Sequence, residues 1–257
     1  MLLAIDAGNT NIAIGAFDGE ELAHQWRLST RRDSTADEMG VLLVGLFESA
    51  KVALDEIDSV VISSVVPTLD RSLVGFCEQY LGVTPLMIGP GVRTGTQIRY
   101  DNPKEVGADR VVNGVAAFRK YGGPAIVVDF GTTTNFDVIS ETGDYLGGAI
   151  APGIRISMDA LFERAAKLQR VELAPPRTVI AKNTVESIQS GFLYGFVGQI
   201  EGIVERMKGE LGGTARVIAT GGLAPLIAAH TTSIDTVDDR LTLDGLRFIY
   251  ELNAAGD

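Results

Sequence analysis

Leu3-Ala4-Ile5-Asp6-Ala7-Gly8-Asn9-Thr10-Asn11, near the start of the chain, returns in pattern as Ile126-Val127-Val128-Asp129-Phe130-Gly131-Thr132-Thr133-Thr134, nearly half the chain later. Each copy is an apolar run ending in Asp, then a small or apolar residue, then Gly, then hydroxyl and amide side chains. A second, largely apolar stretch follows at once, Ile12 to Phe17 in one copy and Phe136 to Ile139 in the other. Apolar runs separated by a Gly-cornered polar turn read as a β-hairpin. Two such hairpins facing each other can form a cleft for a phosphate chain and a metal ion. Gly lets backbone approach a phosphate and adopt conformations denied to other residues. The hydroxyls of Thr10, Thr132, Thr133 and Thr134 can donate to phosphate oxygens, and a carboxylate at the strand end can hold a hydrated cation.

The flanking sequence repeats a programme around each hairpin. Strands are expected at 2–6, 11–17 and 21–28. Thr35-Ala36-Asp37-Glu38 has capping-box spacing and opens a helix to about Ala50. A buried strand at 60–63 follows, then a helix from Pro67 to about Gly82 and a strand at 83–88. Residues 89–106 form a long irregular stretch of the kind that often carries function. A helix is expected over 108–121, and Gly122-Gly123-Pro124 breaks it. The break divides the chain into two halves, 1–121 and 122–257. The second half is read as strands at 125–129, 134–140 and 144–150, a helix at 154–168, a helix from Thr184 to about Leu211 capped by Asn183, a strand at 217–219, a Thr220-Gly221-Gly222 turn and a closing helix at 243–252. Each half is then a mixed sheet with helices on its faces.

Along the 184–211 helix, Gly195, Gly198 and Gly202 recur at three- and four-residue spacing. The stripe admits close approach of another backbone, most simply in helix–helix packing within the chain. A long, apolar-rich helix in a chain of this size also suits association with a second copy.

Composition narrows the function classes. The chain has 257 residues and a net charge of −11, enough length for a core without disulfides. The charge opposes adhesion to nucleic acid or anionic membrane, and no basic run interleaved with aromatics offsets it. Cys77 is the only cysteine, which excludes an internal disulfide and fits a reducing compartment; it reads as a small buried hydrophobe. His24 and His230 lack metal-ligand spacing. Met1 to Ile5 reaches Asp6 too soon for a signal peptide, and no apolar run is long enough to span a bilayer. A cytoplasmic protein with no nucleic-acid and no membrane partner is expected.

Nothing matches the P-loop pattern. Gly89-Pro90-Gly91-Val92-Arg93-Thr94-Gly95 has one residue too many for a dinucleotide fingerprint and follows no clear strand–helix junction. Phosphate binding therefore falls to the paired Asp–Gly turns. A third element is Gly107-Ala108-Asp109-Arg110, at the start of a helix. Asp109 there can be a cap that offsets the helix dipole. It can also be a general base, kept ionised by the adjacent Arg110 and served by the preceding Arg99-Tyr100-Asp101-Asn102-Pro103, a cluster suited to a small polar acid.

Taken in order, these segments resemble the type III pantothenate kinases, of the acetate and sugar kinase, Hsp70 and actin superfamily. The resemblance runs through Asp6 to Asn11, Tyr100-Asp101-Asn102-Pro103, Gly107 to Arg110, Val128 to Thr132, Tyr145-Leu146-Gly147-Gly148-Ala149-Ile150-Ala151-Pro152-Gly153, Asn183-Thr184 and Thr220-Gly221-Gly222. It implies an α/β fold of duplicated ribonuclease H-like (actin-like ATPase) halves, with the nucleotide cleft between them. It implies ATP-dependent phosphorylation of pantothenate to 4′-phosphopantothenate, the first step of coenzyme A biosynthesis. Residue by residue, it puts the ATP phosphates on Asp6, Ala7, Gly8, Asn9, Thr10, Asn11, Ile12 and Ala13, with Asp6 serving Mg²⁺, and has Thr132 contact ATP. Tyr100, Gly107, Ala108, Asp109 and Arg110 would hold pantothenate, with Asp109 as general base. Asp129 would bind a monovalent cation, K⁺ or NH₄⁺. Thr184 would reach pantothenate from the partner subunit of a homodimer, and the Thr220 to Gly222 turn would lie near the nucleoside.

This chain has Thr133 and Asn135 where the family commonly has Ala and Thr, which implies a tuned second turn. Two other readings compete. A sugar- or acetate-type kinase is disfavoured by the absence of long insertions between the repeats. A non-catalytic regulatory relative is disfavoured by the intact Asp6 and Asp109.

Overall fold

A computed structural model describes residues 1–165 and 167–255. The chain divides into two compact units, one made of Met1–Ala116 together with the C-terminal segment from Arg240, the other of Ala117–Asp239.

The first unit is built on a five-stranded sheet. β1 (Leu2–Ala7), β2 (Asn11–Asp18) and β3 (Glu21–Ser29) form an antiparallel meander, and β4 (Ser59–Ser64) and β5 (Leu86–Met87) extend it in parallel, in the order β3-β2-β1-β4-β5. Strand alternation sorts side chains to two faces. Leu3, Ile5, Ile12, Ile14, Val60 and Ile62 meet α1 (Ala36–Ala50) and α2 (Pro67–Phe76) in one core. Ala4, Phe17 and Val61 face the other way, against α3 (Ala108–Tyr121) and α7 (Leu241–Ala254), through Val112, Val115, Leu243, Leu246 and Ile249. The Thr35 capping box forms as the spacing predicts: Glu38 N–H donates to Thr35 Oγ1 at 3.2 Å and Thr35 N–H to Glu38 Oε2 at 2.8 Å.

The second unit repeats the plan. β6 (Ala125–Phe130), β7 (Thr133–Ile139) and β8 (Tyr145–Pro152) are the meander, and β9 (Arg216–Thr220) and β10 (Thr236–Val237) the parallel extension, in the order β10-β9-β6-β7-β8. Read outward from the first strand of each hairpin the two orders are identical, so the repeated turn marks a repeated sheet. Ile126, Val128, Phe130, Phe136 and Val217 pack against α4 (Ile154–Arg164), α5 (Thr184–Glu210) and α6 (Ala224–Ala228).

Four local expectations change. The helix over 67–82 closes its α-helical part at Phe76, and Cys77–Leu81 continues as a wider π-turn ended by Gly82 at φ +67. The strand at 83–88 pairs only over Leu86–Met87. The helix over 154–168 ends at Arg164, and within the remainder Ala166 lies outside the described residues, as do the last two residues of the expected second half. The closing helix, α7, comes last in sequence but belongs to the first unit. Its apolar residues at three-residue spacing find their complement on the first sheet, where Gly245 lies so close to Val112 that a Cβ would sit 2.4 Å from the Val112 carbonyl oxygen.

Candidate active site

In the first unit the phosphate-type turn lies between β1 and β2. Asp6 stands across the ladder from Ala13 on one side and Ser63 on the other. Its side chain shares the face of Ala4, the face that α3 covers. The turn is held by its own backbone, Gly8 N–H to the Asn11 carbonyl at 3.0 Å, and by residues just beyond β3. Thr30 Oγ1 donates to the Gly8 carbonyl at 2.6 Å, Thr30 N–H to the Thr10 carbonyl at 3.0 Å, and Arg32 Nη2 to Asn9 Oδ1 at 3.0 Å. Sequence reasoning missed Thr30 and Arg32, because nothing local ties residues at 30–32 to a turn at 8–10. Only the β2–β3 register brings them there.

Neither Gly8 nor Gly131 has a positive φ. The requirement at Gly8 is steric: a Cβ would meet the Asn11 carbonyl oxygen at 3.1 Å. At Gly131 the nearest atom to such a Cβ is 3.6 Å away, so the missing side chain leaves open room beside the backbone rather than relieving a contact.

The Gly107 to Arg110 segment opens α3 on the Asp6 face of the same sheet. Asp109 Oδ1 accepts from Arg110 N–H at 2.9 Å, so the carboxylate does cap the helix start. Gly107 sits against it, where a Cβ would lie 2.5 Å from Asp109 Oδ1 and 3.7 Å from Val65, just past the end of β4. Gly107 thus stands between the carboxylate and the end of the strand whose Ser63 pairs with Asp6. Burial raises the Asp109 pKa above the ordinary carboxylate value, outweighing the Arg110 N–H and the Arg110 charge, which lower it. Arg110 acts in the expected direction, toward the ionised form, but burial is the larger effect. Arg110 is itself buried, 6% exposed.

Tyr100 is half-buried in the irregular stretch before α3. Asn102 caps the short 3-10 turn Pro103–Glu105, accepting from Lys104 N–H at 3.3 Å and donating to Glu105 Oε1 at 2.8 Å.

In the second unit Asp129 stands between Asn135 and Thr220 in the ladder. Thr133 Oγ1 donates to Asn135 Oδ1 at 2.9 Å, so the two residues expected to tune the second turn contact each other. Gly221, at φ +90, presses on this point, and a Cβ there would be 2.6 Å from the Phe130 carbonyl oxygen and 2.8 Å from Asp129 Oδ1. The Asp129 carboxylate and the Phe130 carbonyl, carrying one formal charge, are oxygen donors of the kind that suits a monovalent cation. For a divalent ion, no cluster of three or more His, Cys, Asp or Glu occurs among the described residues. What fits Mg²⁺ is an ion that arrives on a phosphate chain and takes one carboxylate from the protein. Asp6 suits that role, and the adjacent Ser63 Oγ is buried with no hydrogen-bond partner.

Thr184 is exposed at the N-terminus of α5, and Asn183 caps that helix by accepting from Glu186 N–H at 2.9 Å. Because α5 covers the Val128 face of the sheet, the second unit does not bring Thr184 to the Asp129 face.

The match to known proteins follows this geometry. The family model described as type III pantothenate kinase matches residues 2–206, and a type III pantothenate kinase of Moorella thermoacetica is 60% identical, over 98% of this chain and 100% of its own length. The chain belongs to the type III pantothenate kinases. Its family name makes it a kinase that acts on pantothenate in coenzyme A biosynthesis, and the sugar- and acetate-kinase readings fall away. Among solved structures, a protein described as a Baf family transcriptional activator of Campylobacter jejuni superposes with a TM-score of 0.62 at 18% identity, covering 98% of this chain and 99% of that one. An inorganic polyphosphate/ATP-glucomannokinase of Arthrobacter sp. strain KM gives 0.55 at 14% identity, covering 100% and 99%. At these identities both show the fold alone, that of duplicated ribonuclease H-like halves. No helix among the described residues is long and apolar enough to cross a membrane.

Proposed function

We propose that this member of the type III pantothenate kinases transfers the γ-phosphoryl group of ATP to the primary hydroxyl of pantothenate, with Asp109 as general base. The observation that carries the assignment is the packing of Asp109. It is half-buried at the head of α3, across Gly107 from the end of the strand whose Ser63 pairs with Asp6, and its basicity is increased by that burial. A base poised above the ordinary carboxylate value is better matched to a hydroxyl proton. The hydroxyl proton passes to Asp109, the hydroxyl oxygen bonds to the γ-phosphorus, and the bond to the β-phosphate oxygen breaks to release ADP. Such transfer depends mainly on positioning and charge stabilisation.

In this reading the residues from Asp6 to Ala13 hold the ATP phosphates and Thr132 contacts the nucleotide. Asp6 receives the Mg²⁺ carried by ATP, and Asp129 holds K⁺ or NH₄⁺. Tyr100 and the Gly107 to Arg110 segment hold pantothenate, with Arg110 or Arg99 offsetting its carboxylate. Thr184 serves the partner subunit's site in a homodimer. Support for the homodimer comes from the outer face of α5, where a Cβ at Gly191, Gly195 or Gly198 would meet nothing within 4 Å. The glycines thus do not pack a helix of their own unit, contrary to the simplest expectation. Gly191 and Gly195 border an apolar groove of about 370 Å³ that includes Leu161, Phe192 and Phe196. This reading puts the enzyme in the cytoplasm, with ATP.

The deciding assay measures ATP consumption by the purified chain with pantothenate, sugars or acetate, each with and without K⁺ or NH₄⁺. Turnover with pantothenate alone, raised by one of the cations, is the expected result. No turnover with pantothenate under either cation would overturn the reading.

A further inference from the structure

The β2–β3 register carries the chain past the β1–β2 turn, since Asn11 stands opposite Ser29. Thr30 then bonds twice to the backbone of the turn, through its hydroxyl and its N–H. Ser34 N–H donates to the Arg31 carbonyl at 3.2 Å, and Thr35 caps α1, so residues 30–35 form a short braced link from β3 to the helix. Arg32 lies on that link, exposed, and reaches back to the exposed Asn9 in the turn, 3.0 Å from Nη2 to Oδ1. A guanidinium can only donate. The Asn9 oxygen therefore faces Arg32, and its two Nδ2 protons face away. Neither side chain makes another hydrogen bond among the described residues. Between Asp6 and Ala13 there is no Lys or Arg, and the one charged residue, Asp6, is acidic, in a chain of net charge −11. That balance opposes a polyanion. Arg32 brings the turn a positive charge, on a planar fork that suits phosphate oxygens.

We infer that Arg32 is a positioning residue for ATP: by holding the Asn9 oxygen it turns the Nδ2 donors toward the phosphate chain and keeps a positive charge beside them. The inference rests on the reading that the turn from Asp6 to Ala13 holds the ATP phosphates. Without Arg32 the Asn9 amide loses its side-chain tie, and the cost of ordering it falls on nucleotide affinity. Tyr100 and the Gly107 to Arg110 segment take no part in this contact, so affinity for pantothenate is spared.

The test is calorimetric binding of ATP, ADP and adenosine to Arg32→Ala, Arg32→Gln, Asn9→Ala and the Arg32→Ala/Asn9→Ala double variant, with steady-state kinetics and Tm for each. Arg32→Ala is expected to weaken ATP and ADP about tenfold. Adenosine binding, KM for pantothenate and Tm are expected to stay near wild type, because the side chain is exposed. Arg32→Gln keeps a donor for Asn9 Oδ1 without the charge and is expected to fall between Ala and wild type, which keeps the inference testable if the Ala variant folds poorly. Because the two side chains act as a unit, the double variant is expected to lose less than the product of the single losses. An unchanged ATP affinity in Arg32→Ala overturns the inference. So does an equal weakening of adenosine with a lowered Tm, which would mark Arg32 as a general support, and so do single losses that multiply in full. Failure of the phosphate-turn reading is distinct: the wild type itself would then bind ATP no more tightly than adenosine, and the inference would fall with it.

Discussion

Asp109 has a contact at the head of α3 and a proposed duty as base, and the two can be separated. As a cap it accepts the Arg110 N–H, which an asparagine oxygen can also do. As a base it must be ionised, and burial opposes ionisation. Asp109→Asn should therefore lose about two to four orders of magnitude in kcat while Tm stays level or rises, measured by turnover and calorimetry. Unchanged turnover would reduce Asp109 to a cap. The same shift gives a pH dependence. The native state holds the Asp109 proton to higher pH than the unfolded chain does, so the group's contribution to stability falls as pH rises from the unfolded to the native value. The rate moves the opposite way, falling on the acid side at a pH above that of an ordinary Asp, and a kcat–pH profile measures it. Gly107→Ala should displace the carboxylate, since its Cβ would lie 2.5 Å from Asp109 Oδ1. The expected result is a loss of kcat of about tenfold or more with Tm little changed, because the group that yields is the end of one side chain.

At the scale of elements, the two hairpin turns share a plan and differ in their supports. The first is pinned by Thr30 and Arg32 from beyond β3. The second is pressed by Gly221 from the end of β9, in a left-handed conformation against Phe130 and Asp129. An alanine at 221 adds backbone strain of about 1–3 kcal/mol to a clash with backbone that cannot swing away. Gly221→Ala should lower Tm, and it should weaken the dependence of Tm on added K⁺ or NH₄⁺ if Asp129 holds the cation. A variant with wild-type Tm and an unaltered cation response would detach Gly221 from Asp129. The hairpins and the Thr35 capping box were legible in the sequence because each is a local pattern of a few residues. The short pairing of β5 and the π-turn at Cys77–Leu81 were not, because apolar residues with a proline before and a glycine after read alike in either geometry.

For the whole molecule, the proposed homodimer can be tested at the outer face of α5. Gly195 is exposed, and a side chain there meets nothing in its own chain. Gly195→Arg should stabilise the isolated helix by about 1 kcal/mol while placing a charge in the face proposed to meet a second copy. Analytical ultracentrifugation should find a dimer for the wild type and a monomer for the variant. Activity should fall with dissociation if Thr184 completes the partner's site. A wild-type monomer, or an undisturbed dimer in the variant, removes α5 as the interface. The duplication of a mixed sheet and the positions of Asp6, Asp109 and Asp129 on their elements follow from the sequence by itself, because period-two strands, capped helices and a repeated turn are written in neighbouring residues, whereas the order of the strands came from the tertiary structure. The tertiary structure alone decided that the last helix belongs to the first unit. It alone decided that Thr30 and Arg32 brace the turn at Gly8, and that burial outweighs Arg110 at Asp109. Each of these depends on which apolar faces find their complement, and on how much water that packing removes from a carboxylate, and neither is encoded in any short run of residues.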